Sequence, residues 1–280
     1  MIFELALGIG IIIVIIAFIS EYVDSTLGMG YGTTLTPVLL LFGFSPLQVV
    51  PSVLLSELIT GLLAGFTHHS VGNVDFRPKT MNPKKIYHAI KKFGIFESFK
   101  KGVPSHLKIV LLIASCSIIG TLVAVFIAVN IPKFYLKLYI GILVLTIGLV
   151  ILLTLDKNFG FSWKKITGLS LIASFNKGMS GGGYGPVVTG GQLLAGVDGK
   201  NAVAITSLAE GLTCVVGVIA YFLTQSIIDW SLAPYLIIGA VVSVPVSALT
   251  VKIIKTKKLR IIIGIVTLIL GILTIVKILL

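Results

Sequence analysis

Five ionisable side chains interrupt long apolar stretches of this sequence and are the residues best placed to do chemistry: Glu21, Asp24, Glu57, Lys177 and Glu210. A charged side chain at the centre of a membrane helix costs about 2.5–3.5 kcal/mol on insertion scales, so its retention indicates a function. Glu57 and Glu210 each lie about ten residues into an apolar stretch. We predict that Asp24, Glu57 and Glu210 couple or gate a transport step. For the two glutamates, bracing of nearby backbone N–H groups is the alternative.

Two glycine clusters form the second candidate site, at residues 28–32 and 181–186. Each is followed by an apolar run of only about 11 residues, 33–43 and 186–196, half the length that a spanning helix needs. The N-terminus of such a half-helix points free N–H groups and a positive dipole end at the membrane midplane, where an anion is the natural ligand. The alternative is that the glycines only permit close helix crossings.

The predicted substrate-binding residues lie in or beside these clusters: Gly30, Tyr31, Gly32, Thr33, Lys177, Ser180, Gly182, Gly183, Tyr184 and Gly185. The hydroxyl groups of Tyr31 and Tyr184 could donate to a bound oxyanion, or they could pack between helices. Asp24 and Lys177 each lie four residues before a cluster and carry opposite charges. Lys177 therefore either binds the anion directly or pairs with Asp24.

Other chemistries are excluded by what surrounds the same residues. No strand precedes the glycine clusters and no Lys-Ser/Thr follows in register, so they are not nucleotide-binding loops. Thr33 and Thr34 can instead cap the first half-helix, and Pro186 suits the first turn of the second. His68 and His69 have no carboxylate or thiolate at the spacing of a metal ligand, so we do not interpret them as a metal site. We predict no metal, cofactor, nucleic-acid partner or enzymatic activity.

The composition places these residues in a membrane protein. Hydrophobic residues make up 56% of the 280 residues and charged residues 11%, whereas a soluble domain has about 25% charged residues. The mean hydropathy is +1.09. Cys116 and Cys214 both lie within apolar runs, so a disulfide framework is not expected.

Apolar stretches of spanning length define the elements that must position the site. A spanning helix needs about 20 apolar residues. The stretches that qualify are roughly 2–23, 47–68, 107–129, 134–155, 202–223, 232–251 and 259–279. A shorter run, 166–177, precedes the second half-helix. We predict an all-α polytopic membrane protein with eight segments near full length and two of half length.

An internal repeat relates the two halves of the chain. Twelve of the 33 consecutive positions that begin at Gly28 carry the same residue 153 positions later. Both glycine clusters are matched in this way, and Glu57 is matched to Glu210. We predict a first repeat over 1–155 and a second over 156–280.

The basic residues orient the two halves, since cytoplasmic loops carry an excess of lysine and arginine. Eighteen of the 22 basic residues fall in four loops, 76–108, 156–165, 197–201 and 252–260. With these loops inside, 166–196 starts and ends inside, whereas 1–43 starts and ends outside. Each half is then a hairpin, re-entrant or fully crossing, plus three transmembrane helices. The halves enter from opposite sides, as in the inverted-topology repeats of secondary transporters, and both termini are expected outside.

A basic cytoplasmic insertion at about 76–106 distinguishes the first repeat. Ile86, Ile90, Phe93 and Phe99 recur near helical spacing among its lysines. They predict either an amphipathic helix on the anionic inner leaflet or a solvated basic loop.

An N-terminal hairpin with a glycine-rich tip and Pro37, repeated later with a Gly-Gly-Gly tip at 181–183, resembles the TauE/SafE family of sulfite and organosulfonate exporters. The resemblance, which extends to the 4-toluene sulfonate uptake permeases, covers nearly the whole chain, with the insertion as its least typical part. It implies a secondary transporter in the cell (inner) membrane that moves a small sulfur-containing anion, usually outward.

The sequence therefore predicts an exporter of sulfite or an organosulfonate, with the substrate between the two glycine-rich tips near the midplane. One repeat would move against the other in alternating access. Proton coupling is possible, although an inside-negative potential already favours anion export at about 2.3 kcal/mol per charge per 100 mV. The alternatives are an anion channel or a carrier of another small organic anion. No oligomeric state follows from these patterns.

Overall fold

The computed structural model describes residues 7–78, 101–154, 162–194, 197–225, 228–251 and 256–279, with eight single positions between 80 and 97. All regular structure within these ranges is helical, as the composition predicts. The four apolar residues interpreted as one face of an amphipathic helix, Ile86, Ile90, Phe93 and Phe99, lie outside the described residues.

Ten helices follow one another along these ranges. They are α1 (Leu7–Leu27), α2 (Tyr31–Leu41), α3 (Pro46–Val71), α4 (Ser105–Asn130), α5 (Lys133–Leu153), α6 (Trp163–Ser180), α7 (Tyr184–Leu194), α8 (Gly199–Gln225), α9 (Ala233–Thr250) and α10 (Thr256–Leu279). Six of them, α1, α3, α4, α5, α8 and α9, are long and apolar enough to cross a membrane. These six correspond to the first six predicted spans.

Helix α6 is longer than its apolar run predicts. The run covers 166–177, but the helix extends from Trp163 to Ser180 and has 18 residues, about 27 Å at 1.5 Å per residue. Its last turns contain Asn176 and Lys177, which lower the hydropathy of the segment. Both side chains are buried inside the protein, so the helix continues through residues that would not face lipid.

The two predicted half-helices are confirmed as α2 and α7, each 11 residues long. Both begin two residues earlier than the apolar runs indicate. The predicted caps on α2 are therefore wrong: Gly30 stands at the N-cap position, and Thr33 and Thr34 lie inside the first turn. The free N–H of Tyr31 instead donates to Asp24 Oδ1 at 3.2 Å, so α1 supplies the cap. Pro186 lies in the first turn of α7, as predicted.

Tight glycine turns join α1 to α2 and α6 to α7. Gly28 and Gly181, which end the long helices, have φ angles of +69° and +70°. Gly30 and Gly183 also have positive φ, +139° and +76°. Glycine alone adopts these conformations without steric cost, so the clusters reverse the chain within three residues of each long helix.

The long helices pack in a regular set of pairs. Helix α1 lies along α9 and α6 lies along α4, while α3 packs against α8 and α5 against α10. Helices α3 and α8 contact each other through their backbones at Gly61, where a Cβ atom would lie 2.7 Å from the backbone nitrogen of Gly211. Small residues permit such backbone contact between membrane helices. The α3–α8 crossing therefore brings two polar helix faces together at the centre of the molecule.

Contacts between helix ends define two opposite faces. At the N-terminal end of α3, Gln48 Nε2 donates to Asp229 Oδ2 at 3.0 Å. Beyond the C-terminal end of the same helix, Asn73 Nδ2 donates to the carbonyl of Ala248 at 2.9 Å. His68 supports this second contact, because its Nδ1 accepts from Asn73 at 2.9 Å. The loops around Asp229 and Asn73 therefore lie at opposite ends of the bundle.

Candidate functional site

The ammonium group of Lys177 is the centre of the candidate site. Its side chain is fully buried, and Nζ donates to Glu210 Oε1 at 2.6 Å. The same nitrogen forms an ion pair with the carboxylate of Glu57. Helices α3, α6 and α8 thus each contribute one member of an ion-pair triad, Lys177, Glu57 and Glu210.

The local sequence explains why the triad forms. Glu57 and Glu210 are matched in the repeat; Glu57 lies one turn before Gly61, and Glu210 directly precedes Gly211. Because these glycines let α3 and α8 touch through their backbones, both carboxylates reach the same amine. Buried charges need such pairing, since an unpaired one would carry its full desolvation cost. The lysine pairs with both glutamates, and no ion pair to Asp24 forms among the described residues.

Two further carboxyl groups on α1 face the triad. Glu21 accepts hydrogen bonds from Ser25 Oγ at 2.5 Å and from Thr60 Oγ1 at 3.1 Å. Asp24 is buried as well, and its Oδ1 accepts from the backbone N–H of Tyr31 at 3.2 Å. Glu21 was predicted as an ionisable residue within the membrane, but no sequence pattern indicated its hydrogen bond with Thr60.

These groups surround a small cavity, which we call the acidic cavity. Its volume is about 10 Å³, close to the minimum for one water molecule. It is lined by Glu21, Asp24, Glu57, Thr60, Gly61, Ser207 and Glu210. Glu57 Oε1 accepts no hydrogen bond from any described residue. Four carboxyl groups face the single ammonium group of Lys177. One of these carboxyl groups can therefore bind a proton while another remains ion-paired with the lysine.

The two glycine turns contact each other through their backbones. A Cβ atom on Gly32 would lie 1.7 Å from the carbonyl oxygen of Gly181, and one on Gly185 would lie 2.4 Å from that of Gly28. These two contacts are equivalent in the repeat, since Gly28 matches Gly181 and Gly32 matches Gly185. Each half-helix therefore begins directly against the end of the opposite long helix.

Hydroxyl groups join the same turns. Gly183 N donates to Thr33 Oγ1 at 3.1 Å, and Thr189 Oγ1 donates to the carbonyl of Gly28 at 2.6 Å. Ser180 Oγ accepts from the backbone N–H of Gly182 at 3.1 Å. The N–H groups predicted to face an anion are thus partly occupied by the protein itself in this closed arrangement. Thr189 was missed by the sequence analysis, although its match with Thr36 in the repeat carried the signal.

The two matched tyrosines make interhelical hydrogen bonds. Tyr31 OH and Ser56 Oγ are 2.8 Å apart, and Tyr184 OH accepts from Thr213 Oγ1 at 3.1 Å. Both tyrosine side chains are fully buried. In this arrangement each tyrosine hydroxyl is hydrogen-bonded to a neighbouring helix, and both predicted roles stay predictions.

The histidine pair has a structural environment. His68 Nε2 lies 3.0 Å from the carbonyl oxygen of Ser25, and His69 Nδ1 lies 3.1 Å from the carbonyl oxygen of Val74. Within the part of the chain that the structure describes, no three histidine, cysteine or acidic residues are placed to hold a metal ion.

Comparison with known proteins adds the family context. The sequence model of the family described as "Sulfite exporter TauE/SafE" matches residues 12–81 and 88–274. The chain is 26% identical over 254 residues to the "Probable membrane transporter protein YtnM" of Bacillus subtilis (strain 168), covering 86% of this chain and 74% of that protein. No solved structure matches the chain. The family match resumes at residue 88, so it includes most of the basic insertion.

Proposed function

Because the chain belongs to the sulfite exporter TauE/SafE family of membrane transporters, we propose that it is a secondary transporter that exports sulfite or a small organosulfonate. The observation that carries the proposal is the fully buried Lys177, held by two matched glutamates directly before a glycine turn. If the substrate anion can replace one of these glutamates as the partner of Lys177, the buried ammonium group can bind the anion and release it again.

The proposed architecture is an inverted repeat, 1–155 and 156–280. Its support is that the packing pairs correspond when the repeats are exchanged. Exchanging the repeats turns the α1–α9 pair into the α6–α4 pair, and both pairs are in contact. The same exchange leaves the α3–α8 and α5–α10 pairs unchanged, because each pair contains one helix from each repeat. The equivalent contacts of the glycine turns follow the same rule. Two opposite halves of this kind are typical of carriers that work by alternating access.

The proposed substrate site lies between the two glycine turns, beside Lys177. Half-helix N-termini attract anions through free N–H groups and the helix dipole. Asp24 and Thr33 occupy N–H groups of the turns in the closed arrangement. An entering anion would replace them as the acceptor, which requires the turns to separate. The proposed binding residues are those predicted from the sequence.

We place the coupling step at the ion-pair triad. When Glu57 or Glu210 takes up a proton, Lys177 loses one counter-ion and can accept the anion in its place. When the anion leaves, the glutamate releases the proton and pairs with the lysine again. This exchange keeps the buried ammonium group paired throughout, which avoids the cost of an isolated charge.

Counterflow in proteoliposomes tests the proposed function. Vesicles containing the purified protein are loaded with unlabelled sulfite, sulfoacetate, phosphate or chloride, and entry of labelled sulfite is followed. A carrier gives transient accumulation only when a sulfur oxyanion is inside. Entry without accumulation or competition would indicate an anion channel instead. Accumulation with phosphate but not with sulfite inside would reject the sulfur substrate.

A further inference from the structure

A second cavity, the lysine cavity, lies at the end of the bundle that contains the C-terminus of α2. Its volume is about 260 Å³. Three lysines line it together with apolar side chains: Leu40, Leu41, Lys133, Phe134, Lys137, Thr274, Lys277 and Ile278. It therefore combines three positive charges with an apolar wall, and no acidic residue is among the described residues that line it.

The distribution of charge makes these three lysines unusual. Eighteen of the 22 basic residues belong to the loops predicted inside, and Lys177 is buried. The remaining three are Lys133, Lys137 and Lys277, and all of them line this one cavity. Basic residues are depleted on the outer side of membrane proteins. Their concentration at a single cavity therefore indicates a ligand with negative charge.

The three lysines are held in different ways. Lys277 Nζ donates to the carbonyl of Leu41 at 2.5 Å, at the C-terminal end of α2. A cation is favourable there, because it meets the negative end of the helix dipole. Lys133 and Lys137 are spaced i,i+4 and so lie on one face of α5. The ammonium groups of these two lysines make no hydrogen bond or ion pair with another described residue.

The apolar wall distinguishes among anions. Leu40, Leu41, Phe134 and Ile278 form most of the remaining lining. Phe134 and Tyr135 at the start of α5 are 49% and 60% exposed, as expected for aromatic residues at a membrane interface. Contact with apolar side chains does not stabilise a small hydrated anion. An amphiphile, in contrast, can bury its hydrocarbon part against this wall.

We propose that the lysine cavity binds the phosphate of an anionic phospholipid from the outer leaflet. The phosphate would accept hydrogen bonds from Lys133 and Lys137, and the acyl chains would lie along α5 and α10. Because Lys277 also holds the end of α2, the lipid would connect this half-helix to the peripheral α5–α10 pair. The proposal requires the predicted orientation but not the proposed substrate.

Native mass spectrometry of the purified protein tests the site directly. The probes are phosphatidylglycerol and phosphatidylcholine with identical acyl chains. We expect retention of phosphatidylglycerol in preference to phosphatidylcholine. The variant Lys133→Gln/Lys137→Gln should weaken phosphatidylglycerol binding about thirtyfold, equivalent to about 2 kcal/mol for two juxtamembrane lysines. Lys277 is left unchanged because it caps α2.

A matched control keeps the positive charge at the same two positions. Lys133→Arg/Lys137→Arg should leave the preference for phosphatidylglycerol over phosphatidylcholine unchanged. Equal retention of both lipids, or full affinity in Lys133→Gln/Lys137→Gln, would overturn the proposal. Displacement of the lipid by millimolar sulfite or phosphate would also overturn it and assign the cavity to a soluble anion. None of these results depends on transport, so failure of the proposed function is recognised separately.

Discussion

At the residue scale, Lys177 is the side chain on which the proposed site depends. Removing one partner of a buried ion pair costs about 3–5 kcal/mol, because the other charges remain buried. We therefore expect Lys177→Met to lower the melting temperature sharply and to abolish sulfite counterflow. The triple variant Lys177→Met/Glu57→Gln/Glu210→Gln removes all three charges and should recover most of the stability without recovering counterflow. Normal counterflow in either variant would remove the lysine from the substrate path.

The two glutamates should control the pH dependence of transport. If the exchange of partners at Lys177 needs a proton, Glu57→Gln and Glu210→Gln should each give counterflow that varies less with pH than the wild type. The reason is that an amide neither binds nor releases a proton in this range. The measurement is the initial rate of sulfite counterflow with equal pH on both sides. Two variants with wild-type pH profiles would leave the glutamates as braces of the helices.

The sequence revealed part of this residue-scale arrangement. The repeat identified Glu57 and Glu210 as matched groups at similar depth, because position along a helix follows directly from residue number. It did not reveal that both would meet Lys177, since that depends on how the helices rotate and cross. Asp24 illustrates the same point: its charge suggested a pair with the lysine, but α1 directs it to the backbone of Tyr31.

At the element scale, the contact between glycine turns should tolerate no side chain. Gly32→Ala would place a Cβ atom 1.7 Å from the carbonyl oxygen of Gly181, so the turns must separate or the chain must shift. We expect loss of counterflow and a lower melting temperature. Gly190→Ala is the control, because nothing lies within 4 Å of its Cβ position. If Gly32→Ala behaves like Gly190→Ala, the turns do not need this contact.

Element lengths were predictable where lipid determines them. The six long apolar helices follow from hydropathy, since a bilayer fixes how many apolar residues a span needs. Helix α6 was underestimated because Asn176 and Lys177 reduce the hydropathy of a helix whose polar end is covered by protein. The half-helices were correct in length, but their first residues were set by the glycine turns.

At the scale of the whole molecule, the two faces of the bundle should open to opposite sides of the membrane. Single cysteines are placed at Asp75 and Trp230 after Cys116 and Cys214 are replaced by alanine. Asp75 is exposed and Trp230 is 54% exposed. In intact cells a membrane-impermeant maleimide should label Trp230→Cys and not Asp75→Cys, and permeabilised cells should label both. The reverse pattern would invert the assigned orientation, and labelling of both in intact cells would contradict it.

The equivalent positions of Asp24 and Lys177 have a consequence for the direction of transport. Two identical halves would place the same residue at both positions, and their inward-open and outward-open states would then have equal energies. Here a single lysine lies between two equivalent glutamates, so the symmetry of the repeat is broken at its most strongly charged point. Two repeats within one chain can carry different residues at equivalent positions, whereas two identical chains in a dimer cannot. In the proposed inverted repeat, this inequality would give the inward-open and outward-open states different energies, and a change at one residue would alter the difference.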